Sequence, residues 1–213
     1  MGGRFEFNPW LTIFVKPRKT IRAIVDFNPN FRLLVLSAIY GFCSLLGVAQ
    51  NFGLGDKKEM LFTMLPLLLL APVWGYLVFS FSSWFVFIMG KLLKGQGTYR
   101  QVRSAYAWSN VPLIVNALLW ILLIAVFKSS LFSETALKGI LTQGSSMLLI
   151  GAVFSQLIFS LWGLVIYIIS LSEVQRFSIL KTLVNLFLGF LLFFLLALTV
   201  SLILMKLGAS STV

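Results

Sequence analysis

The hydrophobic positions of the chain fall into five long runs: Phe31 to Gln50, Leu65 to Met89, Ala105 to Phe127, Met147 to Leu171 and Leu183 to Leu204. A bilayer's hydrocarbon core, about 30 Å thick, is crossed by about 20 apolar helical residues. Each run therefore predicts a membrane span. The fold class is an all-α integral membrane protein with five transmembrane helices preceded by a short amphipathic interfacial helical segment. Pro66 and Pro72 interrupt the second run, which a lipid-embedded helix tolerates, and a kink is expected near Pro72.

The segment before the first run has a different pattern. Asn8 with Pro9, and Asn28 with Pro29, each place a capping residue ahead of a proline at a first helical position, and Pro17 starts a new turn between them. Two short helices are expected there. In the second, Ile21, Ile24 and Val25 share one face, while Arg18, Arg22 and Asp26 recur every four residues on another. Such a helix is expected along the cytosolic membrane surface, its cations, Lys19 among them, on anionic headgroups and Trp10 and Phe14 anchoring the piece before it. The chain thus divides into an interfacial segment, 1–30, a five-span domain, 31–206, and a short external tail, 207–213. The first apolar run begins too late for a secretory signal, so the N-terminus is expected to be retained.

Composition agrees with membrane residence: 59% of the 213 residues are hydrophobic and only 11% charged, with a mean hydropathy of +0.99. The 17 basic residues outnumber the 6 acidic ones. Basic residues that flank apolar runs are an orientation signal rather than a nucleic-acid footprint. Twelve of them fall before the first span, between the second and third, or between the fourth and fifth, and five fall on the other side. The positive-inside rule then puts the N-terminus in the cytosol and the C-terminus outside. The single Cys43 lies mid-span, where a free thiol behaves as a small hydrophobe.

With no His in the chain, neither a catalytic imidazole nor a usual metal site can be assembled. All six acids (Glu6, Asp26, Asp56, Glu59, Glu134 and Glu173) map to loops or interfaces, away from the mid-span position an ion-coupled transporter uses. No catalytic, cofactor or metal residue is assigned, and a non-enzymatic protein is expected. Polar groups inside the runs, notably Asn110, Asn116 and Gln156, are open to two readings: interhelical hydrogen bonds worth about 0.6 kcal/mol each, or a polar seam for a lipid headgroup. Ser37 with Gly41, and Gly151 with Ser155, place small residues four apart, which suits close packing within the chain's own bundle.

The most distinctive stretch is GTYRQVRSAYAWSNVP, Gly97 to Pro112. Thr98 can cap a helix in which Tyr99, Arg103 and Tyr106 are near neighbours, with Arg100 and Arg103 able to reach headgroups. Shifting the chain by 78 residues sets Phe81, Ser82 and Trp84 on Phe159, Ser160 and Trp162, Tyr99 on Phe177, and Arg103 on Lys181. That pattern suggests a parallel internal repeat.

NPW followed by KPRKTIRAIVDFNP before the first span, and TYRQVRSAYAWSNVP leading into the third, resemble the Yip1 family of multispanning membrane proteins in its short bacterial form. Eukaryotic members carry Asp-Leu-Tyr-Gly-Pro before the first span, where this chain has only Asp26, Phe27, Asn28 and Pro29. The eukaryotic role, binding Rab-type GTPases and shaping vesicles, is therefore not carried over. The resemblance implies a scaffold or membrane-organising, trafficking-like factor of a bacterial cytoplasmic membrane. Its cytosolic face would bind protein partners or anionic phospholipid headgroups through Trp10, Arg18, Lys19, Arg22, Tyr99, Arg100, Arg103, Tyr106 and Lys181. The alternative is a transporter or flippase-like protein for a lipid or hydrophobic solute, with a groove lined by Asn110, Asn116 and Gln156.

Overall fold

The structure is a computed structural model that describes residues 7–54, 60–133 and 146–210. Several of the charges counted above (Arg4, Glu6, Asp56, Lys57, Lys58, Glu59, Glu134 and Lys138) and the last three residues of the tail lie outside the described residues. The described residues are helical and contain no strand. Their order is α1 (Pro9–Val15), α2 (Pro17–Phe27), α3 (Leu33–Asn51), α4 (Met60–Leu92), α5 (Tyr99–Ser109), α6 (Leu113–Phe127), a 3-10 turn (Lys128–Phe132), α7 (Ser146–Gln175) and α8 (Ile179–Ser210). Five stretches are long and apolar enough to cross a membrane: Leu33–Asn51, Leu65–Leu92, Leu113–Phe132, Met147–Gln175 and Ile179–Lys206.

Both short N-terminal helices form. Asn8 caps α1 by accepting from the Trp10 backbone N–H at 3.0 Å, with Pro9 at the first helical position, and Pro17 starts α2 after a non-helical Lys16. Asn28 does not start a helix as expected. Its side chain accepts from the Asn30 backbone N–H at 2.9 Å and its carbonyl from the Phe31 N–H at 2.9 Å. These bonds close a turn in which Asn28 ends α2 and Pro29 belongs to no helix.

The third span also differs. Ala105 to Phe127 is not one helix: α5 ends at Ser109, the chain turns through Asn110, Val111 and Pro112, and α6 begins at Leu113. Pro112 lacks the N–H that would continue the ladder to Trp108, and it disfavours helical backbone at Val111. The Asn110 amide closes the turn by donating to the Tyr106 carbonyl. Residues 105 to 109 thus belong to a separate helix outside the span. By contrast α4 continues through Pro66 and Pro72.

Close packing at small residues occurs where Ser37 and Gly41 were singled out. A Cβ added to Gly41 would lie 1.8 Å from the Ala71 carbonyl oxygen, and one added to Gly75 would lie 1.9 Å from that of Ser37, so α3 and α4 cross backbone to backbone. Gly151 has nothing within 4 Å of its missing Cβ, so the second pair of small residues marks no such crossing.

The apolar face of α2 is covered by protein. Ile13 of α1 and Ile21 and Ile24 of α2 are fully buried in one core with Val102, Ala105 and Trp108 of α5 and Ile166 and Leu171 of α7. Arg18, Arg22 and Asp26 point outward, as the periodicity requires. The N-terminal hairpin is therefore an integral part of the bundle's end.

Candidate functional site

Three pieces of chain meet at this end: the α1–α2 hairpin, the α4–α5 linker with the first turn of α5, and the α7–α8 linker. Arg18, Lys19, Arg22, Arg100 and Lys181 are all exposed there. A cavity of about 680 Å³ lies between the three pieces, with Arg18, Arg22 and Asp26 on one side and Gln96, Gln101, Glu173 and Arg176 on the other. A smaller one of about 540 Å³ beside it adds Lys19 and Ala23. Arg22 crosses between the walls, donating from Nε to Glu173 Oε1 at 2.7 Å and also from Nη2. Exposed ion pairs are worth about 1 kcal/mol at most. Glu173→Gln should therefore cost about 1 kcal/mol or less in detergent unfolding, the hairpin being held by its buried isoleucines. A loss above about 3 kcal/mol would mean that the ion pair holds it instead.

α5 positions Arg103 and Tyr106 inward. Thr98 and Gln101 form a reciprocal cap, the Gln101 N–H donating to Thr98 Oγ1 and the Thr98 N–H to Gln101 Oε1 at 2.9 Å. Tyr99 donates its hydroxyl to the Ser80 carbonyl at 2.9 Å. Arg103, only 7% exposed, does not reach headgroups. Its guanidinium donates to the Tyr76 hydroxyl at 2.9 Å, to Ser80 Oγ at 3.2 Å and to Asn30 Oδ1 at 3.0 Å. The rings of Tyr76 and Tyr99 flank it at 5.0 and 5.4 Å. Its charge is thus dispersed over neutral oxygens and two π faces, with no carboxylate among its partners. Arg103 fastens the turn that precedes α3 to α4 and α5.

Tyr106 is packed between the rings of Phe79 and Tyr167, with centroids 5.5 and 5.0 Å away. Burial raises its phenol above the ordinary value, outweighing hydrogen bonds to Ser82 and Tyr40 that lower it. It stays neutral. Trp10 serves as a packing anchor inside the protein, its ring 5.2 Å from that of Trp108, whose indole N–H donates to the Phe31 carbonyl at 3.3 Å.

The 78-residue offset is visible in two contacts. Arg103 lies over Tyr99, and Lys181 lies over Phe177 at 4.5 Å. The helices that carry the two cations begin at Tyr99 and Ile179, however, so the aromatic opens the helix in the first case and precedes it in the second. The contacts match while the helix frames do not.

Asn110, Asn116 and Gln156 lie on different helices or turns. Asn110 closes its local turn, Asn116 is buried on α6, and Gln156 is half-buried on α7. None of the three lines the cavities at the basic end. Sequence reasoning missed Gln175. This fully buried side chain accepts from the Gly97 N–H at 3.2 Å, while its carbonyl accepts from the Gln96 N–H at 3.2 Å. A Cβ on Gly90 or Gly95 would lie within 2.3 Å of its amide, so those glycines make the space that lets the α4–α5 linker dock on the end of α7. The only available signal was the run of glycines itself, which by sequence marks a break and names no partner.

The Yip1 domain family model matches residues 11–202. The chain belongs to the Yip1 family. Comparison with curated proteins finds no match, and comparison with solved structures finds none. The Yip1 domain so matched includes most of the N-terminal hairpin, the first four apolar spans and the fifth as far as residue 202. It is a multi-pass membrane protein in which hairpin and bundle share one core.

Proposed function

We propose that this Yip1 protein is a non-enzymatic scaffold of a bacterial cytoplasmic membrane, with its basic end in the cytosol, where it holds an acidic segment of a partner protein. One observation carries the reading: the docked hairpin turns Arg18 and Lys19 outward beside the cavity of about 680 Å³, while Arg22 is occupied by Glu173. Arg18 and Arg176 then leave two guanidinium groups on opposite walls that can take carboxylates bidentately. The twelve-to-five distribution of basic residues supports the cytosolic orientation.

The test is photocrosslinking in living cells from a probe residue at Lys19, with adducts identified by mass spectrometry. A discrete protein adduct, lost when Arg18 and Arg176 are both changed to Glu, is the expected result. Crosslinking to many proteins in proportion to their abundance, or an adduct indifferent to the double change, would overturn the proposal. A probe at Tyr99 should report less, since that side chain is bonded to Ser80.

A further inference from the structure

A second recess lies on the other flank of the hairpin, sharing Arg18 and Lys19 with the polar cavities. Its volume is about 730 Å³. One wall is the α1–α2 turn, with Val15, Lys16, Arg18 and Lys19, and the other is the aliphatic flank of α7 at Val165, Ile168 and Ile169. None of the described residues that line it is acidic. Among the described residues none of the three cations forms an ion pair: Glu173 pairs with Arg22, Asp26 lines the neighbouring polar cavity rather than this recess, and Lys19 lies over the Phe7 ring.

The position of this recess along α7 limits what can occupy it. Ile168 and Ile169 lie about two turns from the basic end of α7, roughly 10 Å at 1.5 Å per residue. Toward the other end, Leu161, Ile158 and Phe154 continue the flank of Val165 at helical spacing, and all are more than half exposed. An apolar track therefore runs from the recess along the face of a membrane-spanning helix, and three cations stand at its mouth. That is the pattern of an amphiphile with a negative head and a hydrocarbon tail. Acidic protein segments fit the polar cavity better, because its far wall carries Gln96, Gln101 and Arg176 where this recess has only the aliphatic side chains of α7 and Ile179 facing its cations.

We infer that the recess between the α1–α2 turn and α7 is a binding site for one anionic glycerophospholipid, its phosphate held by Lys16, Arg18 and Lys19 and an acyl chain laid along Val165, Ile168 and Leu161. The site shares Arg18 and Lys19 with the partner-binding surface, yet stands on its own observations. A bound lipid would fill the gap between hairpin and bundle and fix the height of the basic end against the membrane.

Native mass spectrometry of the full-length protein, released from detergent with equal added phosphatidylglycerol and phosphatidylcholine, tests the inference. The wild type should retain one phosphatidylglycerol in preference to phosphatidylcholine. Each cation near an anionic surface is worth about a fivefold effect, so the loss of three would cost about a hundredfold, and reversing Lys16, Arg18 and Lys19 to Glu should reduce that preference by at least that much. These side chains are exposed, so the fold should survive. Ile168→Trp, which fills the recess without altering charge, should reduce retention of either lipid. Lys91→Glu with Lys94→Glu makes similar reversals at exposed positions outside the recess and should leave retention unchanged.

Equal retention of the two lipids by the wild type, or an equal loss in the Lys91 and Lys94 control, would overturn the site. So would full retention by Ile168→Trp. The readout contains no partner protein and Arg176 is not altered, so failure here leaves the scaffold reading standing, and failure of the crosslinking experiment leaves the lipid site standing.

Discussion

Gly41→Val should prevent the α3–α4 pair from closing. Placing even one methyl on Gly41 puts it 1.8 Å from the Ala71 carbonyl oxygen and 2.7 Å from the Ala71 carbonyl carbon, both backbone atoms that no rotamer change can move. Reaching ordinary contact at 3.4 Å needs the helices to part by about 1.6 Å, which would also open the facing contact of Gly75 on Ser37. Overpacking a core usually costs about 1 to 3 kcal/mol. Here both contacts are helix backbone, so a loss above about 3 kcal/mol is expected, as is a similar loss for Gly75→Val. Gly47→Val on the same helix meets nothing within 4 Å and should change stability by about 0.5 kcal/mol or less. Unfolding each variant in detergent with increasing denaturing surfactant measures the difference. Equal midpoints for Gly41→Val and Gly47→Val would show that α3 and α4 do not cross at their glycines.

The second large effect is expected at Arg103. Arg103→Met keeps the apolar length of the side chain but removes donors to Tyr76, Ser80 and Asn30 and two ring contacts. Hydrogen bonds that involve a charged group are worth about 1.5 to 3 kcal/mol each, and removing the charge also relieves its desolvation, which offsets part of that loss. A net destabilisation of about 2 to 4 kcal/mol is expected. Arg103→Lys should recover less than half of it, because a compact ammonium cannot span three oxygens that a planar fork reaches. Hydrogen exchange locates the effect: protection should fall first in the turn from Asn28 to Arg32, which Arg103 fastens to α4 and α5, while the Gly41–Gly75 crossing keeps its protection. Unchanged exchange in that turn would mean that Arg103 holds nothing there.

These two sites were legible to different degrees. Ser37 and Gly41 could be picked out because small residues four apart make a flat strip on a helix, and a flat strip in a membrane chain is packed against something. Gly151 with Ser155 obeys the same rule, yet Gly151 faces open space. The pattern identifies a permissive surface, and the crossing of α3 with α4 decides that only one of the two is used. Arg103 was read as a cation near the membrane surface, which its spacing from Arg100 allows. Its burial depends on Asn30, Tyr76 and Ser80, up to 73 residues away, and no local pattern pairs them.

The sequence by itself determined the five spans, the two short N-terminal helices, the caps at Asn8 and Thr98, and which face of α2 is apolar. Each depends on terms that act within one helix or across about 20 residues: transfer of side chains to lipid, capping hydrogen bonds, and the fixed backbone of proline. The tertiary structure alone decided what covers those faces. The apolar face of α2 needs to leave water, and lipid or protein satisfies that need equally well in free energy per unit area. The positions of α5 and α7 settle it in favour of protein. The same holds for Gln175, whose amide sits in a space made by Gly90 and Gly95, and for the start of the third span, where Asn110 and Pro112 turn a continuous apolar run into two helices. Local chemistry sets what each segment requires, and the crossing geometry of distant helices sets which neighbour supplies it.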